Sequence, residues 1–183
     1  MKLKKIVLIV LLLILFSFTA DATRLDEEIK DIVDRTNQGF LSSSMSFISM
    51  TADTSTKYQL LAIMPNSDLR TDMQFGLLAS HTASESIKYV VGRTRPRTGK
   101  NELQPFSGHK SFPSGHATGA FSIATAISEN YPEYKNYAYL WSSLVAVSRL
   151  YEDAHWFSDV VAGAALGHYV TKFVMDYRLT WEF

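Results

Sequence analysis

The sequence predicts an all-α protein, folded as a compact helical bundle. Three observations carry that prediction. Apolar residues recur three and four positions apart in several long segments. No stretch alternates apolar and polar residues as a half-buried strand would. The helical segments are also rich in glycine and alanine, which permits close approach of backbones. With 183 residues the chain fits one domain with a sizeable core, and it contains no internal repeat.

Lys2, Lys4 and Lys5 precede an apolar run from Ile6 to Phe16, and Ala20-Asp21-Ala22 follows. That is the pattern of a signal peptide over residues 1–22, with an Ala-x-Ala cleavage site, and it implies export to a periplasm or cell exterior. The uncharged stretch from Ile6 to Ala20 is 15 residues, short of the roughly 18 expected of a spanning helix. The alternative is an uncleaved anchor that tethers the chain to a membrane. Residues 23–183 then form a single all-α domain.

Leu25 to Arg35 has Leu25, Ile29, Ile32 and Val33 at helical spacing, and Gly39 breaks this amphipathic helix. Phe40 to Ala52 reads as a second helix. Tyr58 to Met64 is a short apolar segment stopped by Pro65, and Asn66-Ser67-Asp68 is a turn with capping potential. Thr71 to Val91 is a long helical pattern in which Phe75, Leu78, Thr82, Ile87 and Val90 share a face. Arg93 to Phe112 holds Pro96, Gly99, Pro105 and Gly108, and a loop of that length inside a compact domain usually has a function. Gly115 to Asn130 resumes the helical pattern with small residues, and Tyr131-Pro132 ends it. Tyr134 to Tyr151 is the next helix. Ser158 is placed to cap the last, from Asp159 to Asp176, which carries Gly163 and Gly167. Ser111 to Ser128 lacks Asp, Glu, Lys and Arg but is rich in Ser, Thr and Gly, so a soluble or membrane-tethered bundle is expected rather than a multi-span protein.

Composition narrows the chemistry. Eighteen Lys+Arg balance 18 Asp+Glu, which gives no global attraction to nucleic acid. Removing residues 1–22 takes away three lysines and Asp21, leaving 15 basic and 17 acidic residues over 161 positions. The absence of cysteine excludes disulfides, thiolate metal sites and thiol catalysis. Hydrophobic residues at 46% and aromatics at 13% argue against disorder.

Three clusters stand out against that neutral background. Lys88, Arg93, Arg95, Arg97 and Lys100 fall together, with no Asp or Glu from Ser86 to Asn101. Such a cluster is either a solvated helix end or an anion site, since guanidinium groups match phosphate oxygens. Pro113-Ser114-Gly115-His116 sits where the loop becomes a helix, and a helix start offers free N–H groups to an anion. The plainer reading makes Ser114 an N-cap and His116 an exposed residue. Ser148-Arg149, His155 and Asp159 form the third. His155 and Asp159 are four apart and can meet, either as a helix-end ion pair or as an imidazole with its tautomer fixed by a carboxylate. Together these groups are suited to phosphoryl transfer without a metal or other cofactor.

Lys88-x6-Arg95-Pro96, Pro113-Ser114-Gly115-His116 and Ser148-Arg149-x5-His155-x3-Asp159 resemble the three signature motifs of the type-2 phosphatidic acid phosphatase superfamily. It includes bacterial acid phosphatases, lipid phosphatases and vanadium haloperoxidases. The resemblance spans Lys88 to Asp159; the preceding 87 residues carry no such motif. It implies a helical bundle of the acid phosphatase/vanadium haloperoxidase type. It also implies that Lys88, Arg95 and Arg149 clamp phosphate oxygens, with Ser114 and the N–H of Gly115 completing the cradle. His155 would attack phosphorus, oriented by Asp159, and His116 would protonate the leaving oxygen.

The function expected from the resemblance is hydrolysis of phosphomonoesters or diphosphates, lipid phosphates included, through a phosphohistidine. The alternatives are a vanadium-dependent haloperoxidase, a non-catalytic phosphate- or lipid-binding protein, and zinc hydrolysis through His116, His155 and Asp159. Arg93 and Arg97 lie outside the motif and are expected to matter far less than His155. His81 and His168 are expected to be core or surface residues. His109 is a weak candidate for the site entrance, and Leu103, Phe106 and Phe112 for an apolar wall at its mouth. Glu152 and Asp153 are placed to tune the charge near Arg149.

Overall fold

The computed structural model of the chain describes residues 20–65 and 67–178. The lysines and the apolar run of the expected leader lie outside the described residues. Among the described residues seven α-helices follow one another: α1 (Ala20–Thr36), α2 (Gly39–Met50), α3 (Thr54–Ile63), α4 (Asp68–Val91), α5 (Gly115–Asn130), α6 (Lys135–Tyr151) and α7 (Phe157–Arg178). The order and type of these elements are those the sequence predicts, except that α3 is a helix where the sequence shows only a short apolar segment, Tyr58 to Met64. Among the described residues no helix is long and apolar enough to cross a membrane.

Helix α5 is the axis of the bundle, packed against α4, α6 and α7. Its small buried residues, including Ala117, Ala120 and Ala124, allow this. The closest approach is to α7. A Cβ at Gly163 would lie 2.5 Å from the Ser114 carbonyl oxygen, and one at Gly167 2.1 Å from that of Thr118. Those two glycines therefore let α7 lie directly against α5. Leu61, Met73, Leu77, Ile123, Ala126 and Met175 form the main apolar core.

Two local expectations are corrected. The predicted apolar stripe of α4 faces outward, with Phe75 at 50% and Leu78 at 60% exposure. The inner face is Met73, Leu77, Ser80, Ser84 and Lys88, because close contact with α5 and α7 favours small side chains over large ones. Ser158 is not the cap of α7 but lies inside its first turn. Its N–H is answered from another helix, by Asp26 Oδ1 of α1 at 2.8 Å.

Helix α4 ends at Gly92, whose left-handed φ of 59° returns its N–H to the Lys88 carbonyl. The loop from residue 93 to 114 is tied down along its length. Arg93 bridges Leu103, the Thr94 N–H bonds the Glu102 carbonyl, and the Ser111 N–H bonds the Arg93 carbonyl. Trp156 Nε1 donates to the Thr94 carbonyl at 2.9 Å. This tethering brings the start of α5 and the residues before α7 together.

Candidate active site

Helix α5 starts at a capped turn. The Ser114 hydroxyl accepts from the Ala117 N–H, while the Ser114 N–H donates to the Asp159 carbonyl at 2.9 Å. The capping reading of Ser114 is therefore realised, and it coexists with a place at the head of the site. Lys88 of α4 reaches over this turn, its Nζ lying 2.9 Å from where a Cβ on Gly115 would be. Lys88 is only 5% exposed and is held by Glu85 and by Ser84 Oγ. Burial lowers its pKa, and the Glu85 carboxylate opposes the shift.

Arg149 of α6 enters from the other side, hydrogen-bonded to Ser49 Oγ and Glu152. Arg95 is half-buried on the loop. Burial first, then the nearby Arg97 and Arg149 guanidinium groups, depress its pKa. The basic cluster thus divides. Lys88 sits over the start of α5, Arg95 is half-buried and close enough to Lys88 to lower its pKa, Arg97 and Lys100 are exposed, and Arg93 is turned wholly inward.

His155 is 4% exposed, just before α7. Its Nδ1 donates to the Ser111 carbonyl at 2.8 Å, whereas Asp159 Oδ2 stands 3.7 Å away. A carbonyl accepts only, so Nδ1 carries the hydrogen and Nε2 keeps its lone pair. The direct orienting bond therefore comes from backbone, and Asp159 acts one step removed. It accepts from Ser111 Oγ at 2.5 Å, from the Trp156 N–H at 2.9 Å and from Arg93 Nη1 at 2.7 Å. Burial alone would raise the Asp159 carboxyl, but His155, Arg93 and Ser111 outweigh it and hold it below the usual range. Burial pushes the His155 pKa down, which favours the neutral ring.

Arg93 is a correction to the sequence reading. At 1% exposure it joins Asp159 to Asp26 of α1, with Nη2 at 2.6 Å from Asp26 Oδ2. It also bonds Ser158 Oγ and Asn101 Oδ1. It fixes the Asp159 carboxylate beside His155, a contact invisible in a motif that treats its position as a spacer.

His116 lies one residue into α5, and its Nε2 donates to Asp53 Oδ1 at 2.7 Å. Asp53 occupies the N-cap position of α3 but makes no capping bond, because its carboxylate serves this ring instead. Burial first, then Arg149 and Lys57, push the His116 pKa down to about 4 against the opposing pull of Asp53. A bound phosphate dianion would offset those cations and restore the proton that a general acid needs. The sequence reading missed Asp53 and Lys57; the available signal was a carboxylate and an amine four apart on one short helix.

The remaining candidates separate clearly. Phe112 is core, packed with Val91 and Ala162, not an entrance wall. Phe106 and Leu103 are exposed, and Phe106 meets Tyr89 edge-on. His168 Nδ1 bonds Tyr139 and Thr125 on the far part of α7. His109 is half-buried on the loop, and His81 borders a cavity with Lys57. Glu152 pairs with Arg149, while Asp153 pairs with Lys30 of α1. Among the described residues no group of three His, Asp or Glu side chains is placed to hold a metal ion.

The model of the PAP2 superfamily matches residues 71–182, which contain every motif position. The chain belongs to the PAP2 superfamily. A lipid A 1-phosphatase of Rhizobium etli is 39% identical over 101 residues, 50% of this chain and 40% of that protein. An undecaprenyl-diphosphatase of Sulfolobus acidocaldarius is 33% identical over 96 residues, 48% of this chain and 44% of that protein. The chain spans about two fifths of the length of these relatives. Among solved structures, a transmembrane PAP2-type phosphatidylglycerolphosphate phosphatase of Bacillus subtilis superposes with a TM-score of 0.78 at 21% identity, over 96% of this chain and 95% of the other. LpxE of Aquifex aeolicus gives 0.74 at 21%, over 84% and 96%. The fold of this PAP2 chain is therefore that of PAP2 phosphatases, and these relatives give no support to the haloperoxidase alternative.

Proposed function

We propose that this PAP2 chain is a metal-independent phosphohydrolase acting on phosphomonoesters or diphosphates, lipid phosphates among them, through a phosphohistidine on His155. The observation that carries the reading is the Nδ1–H of His155 held by the Ser111 carbonyl, which leaves Nε2 as nucleophile beside Lys88, Arg95 and Arg149. The names of the relatives, lipid A 1-phosphatase and undecaprenyl-diphosphatase, support lipid phosphates as the substrate class.

In the first step Nε2 attacks phosphorus, the bond to the leaving oxygen breaks, and His116 gives that oxygen a proton. In the second, His116 takes a proton from water as it displaces phosphate from Nε2, returning both histidines to their starting states. The three cations, Ser114 and the Gly115 N–H meet charge that develops on the phosphoryl oxygens, where fixed donors accelerate reaction most. We place the enzyme outside the cytoplasm, exported by residues 1–22 or held at a membrane by them, with residues 23–183 as one catalytic domain.

The test is a substrate panel of p-nitrophenyl phosphate, phosphatidate, polyprenyl diphosphate and lipid A, run with and without chelator. Turnover that survives chelator and vanishes in His155→Gln is expected; binding of phosphate with no hydrolysis of any ester would contradict the reading.

A further inference from the structure

Lys57 is a cation that no motif accounts for. It lies on α3 and is 7% exposed; its backbone N–H bonds the Asp53 carbonyl, but its ammonium group makes no hydrogen bond among the described residues. Its stem crosses α5 at Gly119, where a Cβ would stand 2.5 Å from Nζ and 3.1 Å from Cδ. Gly119 is one helical turn beyond Gly115, the seat of Lys88, so the two ammonium groups follow one another along one face of α5. A turn rises about 5.4 Å, a step on the scale of two linked phosphoryl groups. Lys57 also borders a cavity with Thr54, Tyr58, His81, Gly115 and Gly119.

An ammonium on so little-exposed a side chain, with no hydrogen bond to satisfy it, is costly. Burial, with Lys88 and Arg149 adding repulsion against the pull of Asp53, pushes the Lys57 pKa down to about 8. Nothing in the packing requires this charge, since a methionine would fill the same space. An anion in the cavity would repay it. The transferred phosphoryl group already has Lys88, Arg95, Arg149 and the start of α5. Lys57 instead lies beyond that cradle and close enough to His116 to perturb it, which is the side where the leaving oxygen receives its proton.

We infer that Lys57 is a specificity-determining residue that binds a second phosphate on the leaving group, so that this site favours diphosphates over monophosphates of the same alcohol. The inference rests on the phosphohydrolase reading above. With such a substrate His155 Nε2 forms a bond to the terminal phosphorus and the phosphoanhydride P–O bond breaks. The leaving monophosphate departs with the His116 proton, its charge met by Lys57, and water then releases orthophosphate from His155.

The test measures kcat/KM of the full chain for farnesyl diphosphate and farnesyl monophosphate in wild type, Lys57→Met and Lys57→Arg. Wild type should prefer the diphosphate. Lys57→Met should lower the diphosphate-to-monophosphate ratio by about tenfold or more, a loss of the size expected for one fixed cation, and Lys57→Arg should retain most of it. Melting curves check folding, and Lys57→Met should not melt lower, because it removes a largely buried charge that no hydrogen bond satisfies. A ratio within about twofold of wild type in Lys57→Met, or equal losses on both esters, overturns the inference and leaves the phosphohydrolase standing. Hydrolysis of neither farnesyl ester by wild type overturns the inference, and it overturns the phosphohydrolase reading too only if no ester of the substrate panel is turned over.

Discussion

His155 and His116 are both depressed in pKa, yet they are asked for opposite services, and the difference lies in their partners. His155 needs only a lone pair, which the Ser111 carbonyl secures. Its replacement by Gln should lower kcat by about 10⁴-fold or more, as loss of a nucleophile does elsewhere. As the proposed acid His116 must hold a proton, and burial with Arg149 and Lys57 opposes that. Its ring should titrate at about 4 by NMR in the free protein and move upward when vanadate fills the cradle; an unmoved titration would contradict its role as acid. The sign extends to stability. Since the folded ring titrates below the ordinary 6.5, the unfolded chain takes the proton first, and stability should fall as pH drops from 6.5 towards about 4. His116→Gln should flatten that decline in urea titrations. Lys88, Arg95, Ser114, Arg149 and both histidines were legible in the sequence because their spacing is tied to helix starts and turns. Asp53, Lys57 and Asp26 were not, because each meets the site only after distant helices pack.

Helix α1 shows how an element without a motif supports the site. Its Asp26 both receives the Ser158 N–H of α7 and holds Arg93 against Asp159. Removing one partner of a buried ion network costs about 3–5 kcal/mol, so Asp26→Ala should lower Tm by roughly 6–20 °C and reduce kcat as well; an unchanged melting curve would contradict this account. Helix α7 is equally constrained at Gly167, where a Cβ meets the Thr118 carbonyl at 2.1 Å. Gly167→Ala should destabilise by about 1–3 kcal/mol through overpacking, read by chemical denaturation. Helix limits were readable from periodicity, but the buried face of α4 was not. Phe75 and Leu78 point outward, while Ser80 and Ser84 join Met73 and Leu77 on the inner face. The contact with α5 and α7 selects for small size there, and periodicity of apolar residues cannot report it.

At the scale of the whole molecule, a chain of zero net charge sets Lys88 over the first turn of one central helix and Lys57 one turn further on, with Arg149 near enough to depress the His116 and Arg95 pKa values. The bundle itself supplies the neutralising charge that phosphoryl transfer requires, and chelators should leave turnover within about twofold of the untreated rate, since three fixed cations stand where a metal would otherwise be needed. The central claim is a covalent intermediate on a named atom. Substrate labelled in its terminal phosphoryl group, mixed with enzyme and quenched in alkali, should leave one base-stable, acid-labile phosphoryl group per chain. Mass spectrometry should place it on the peptide containing His155, and it should be absent in His155→Gln. Rapid turnover with no labelled protein at any quench time, or label on a residue other than His155, would contradict the account.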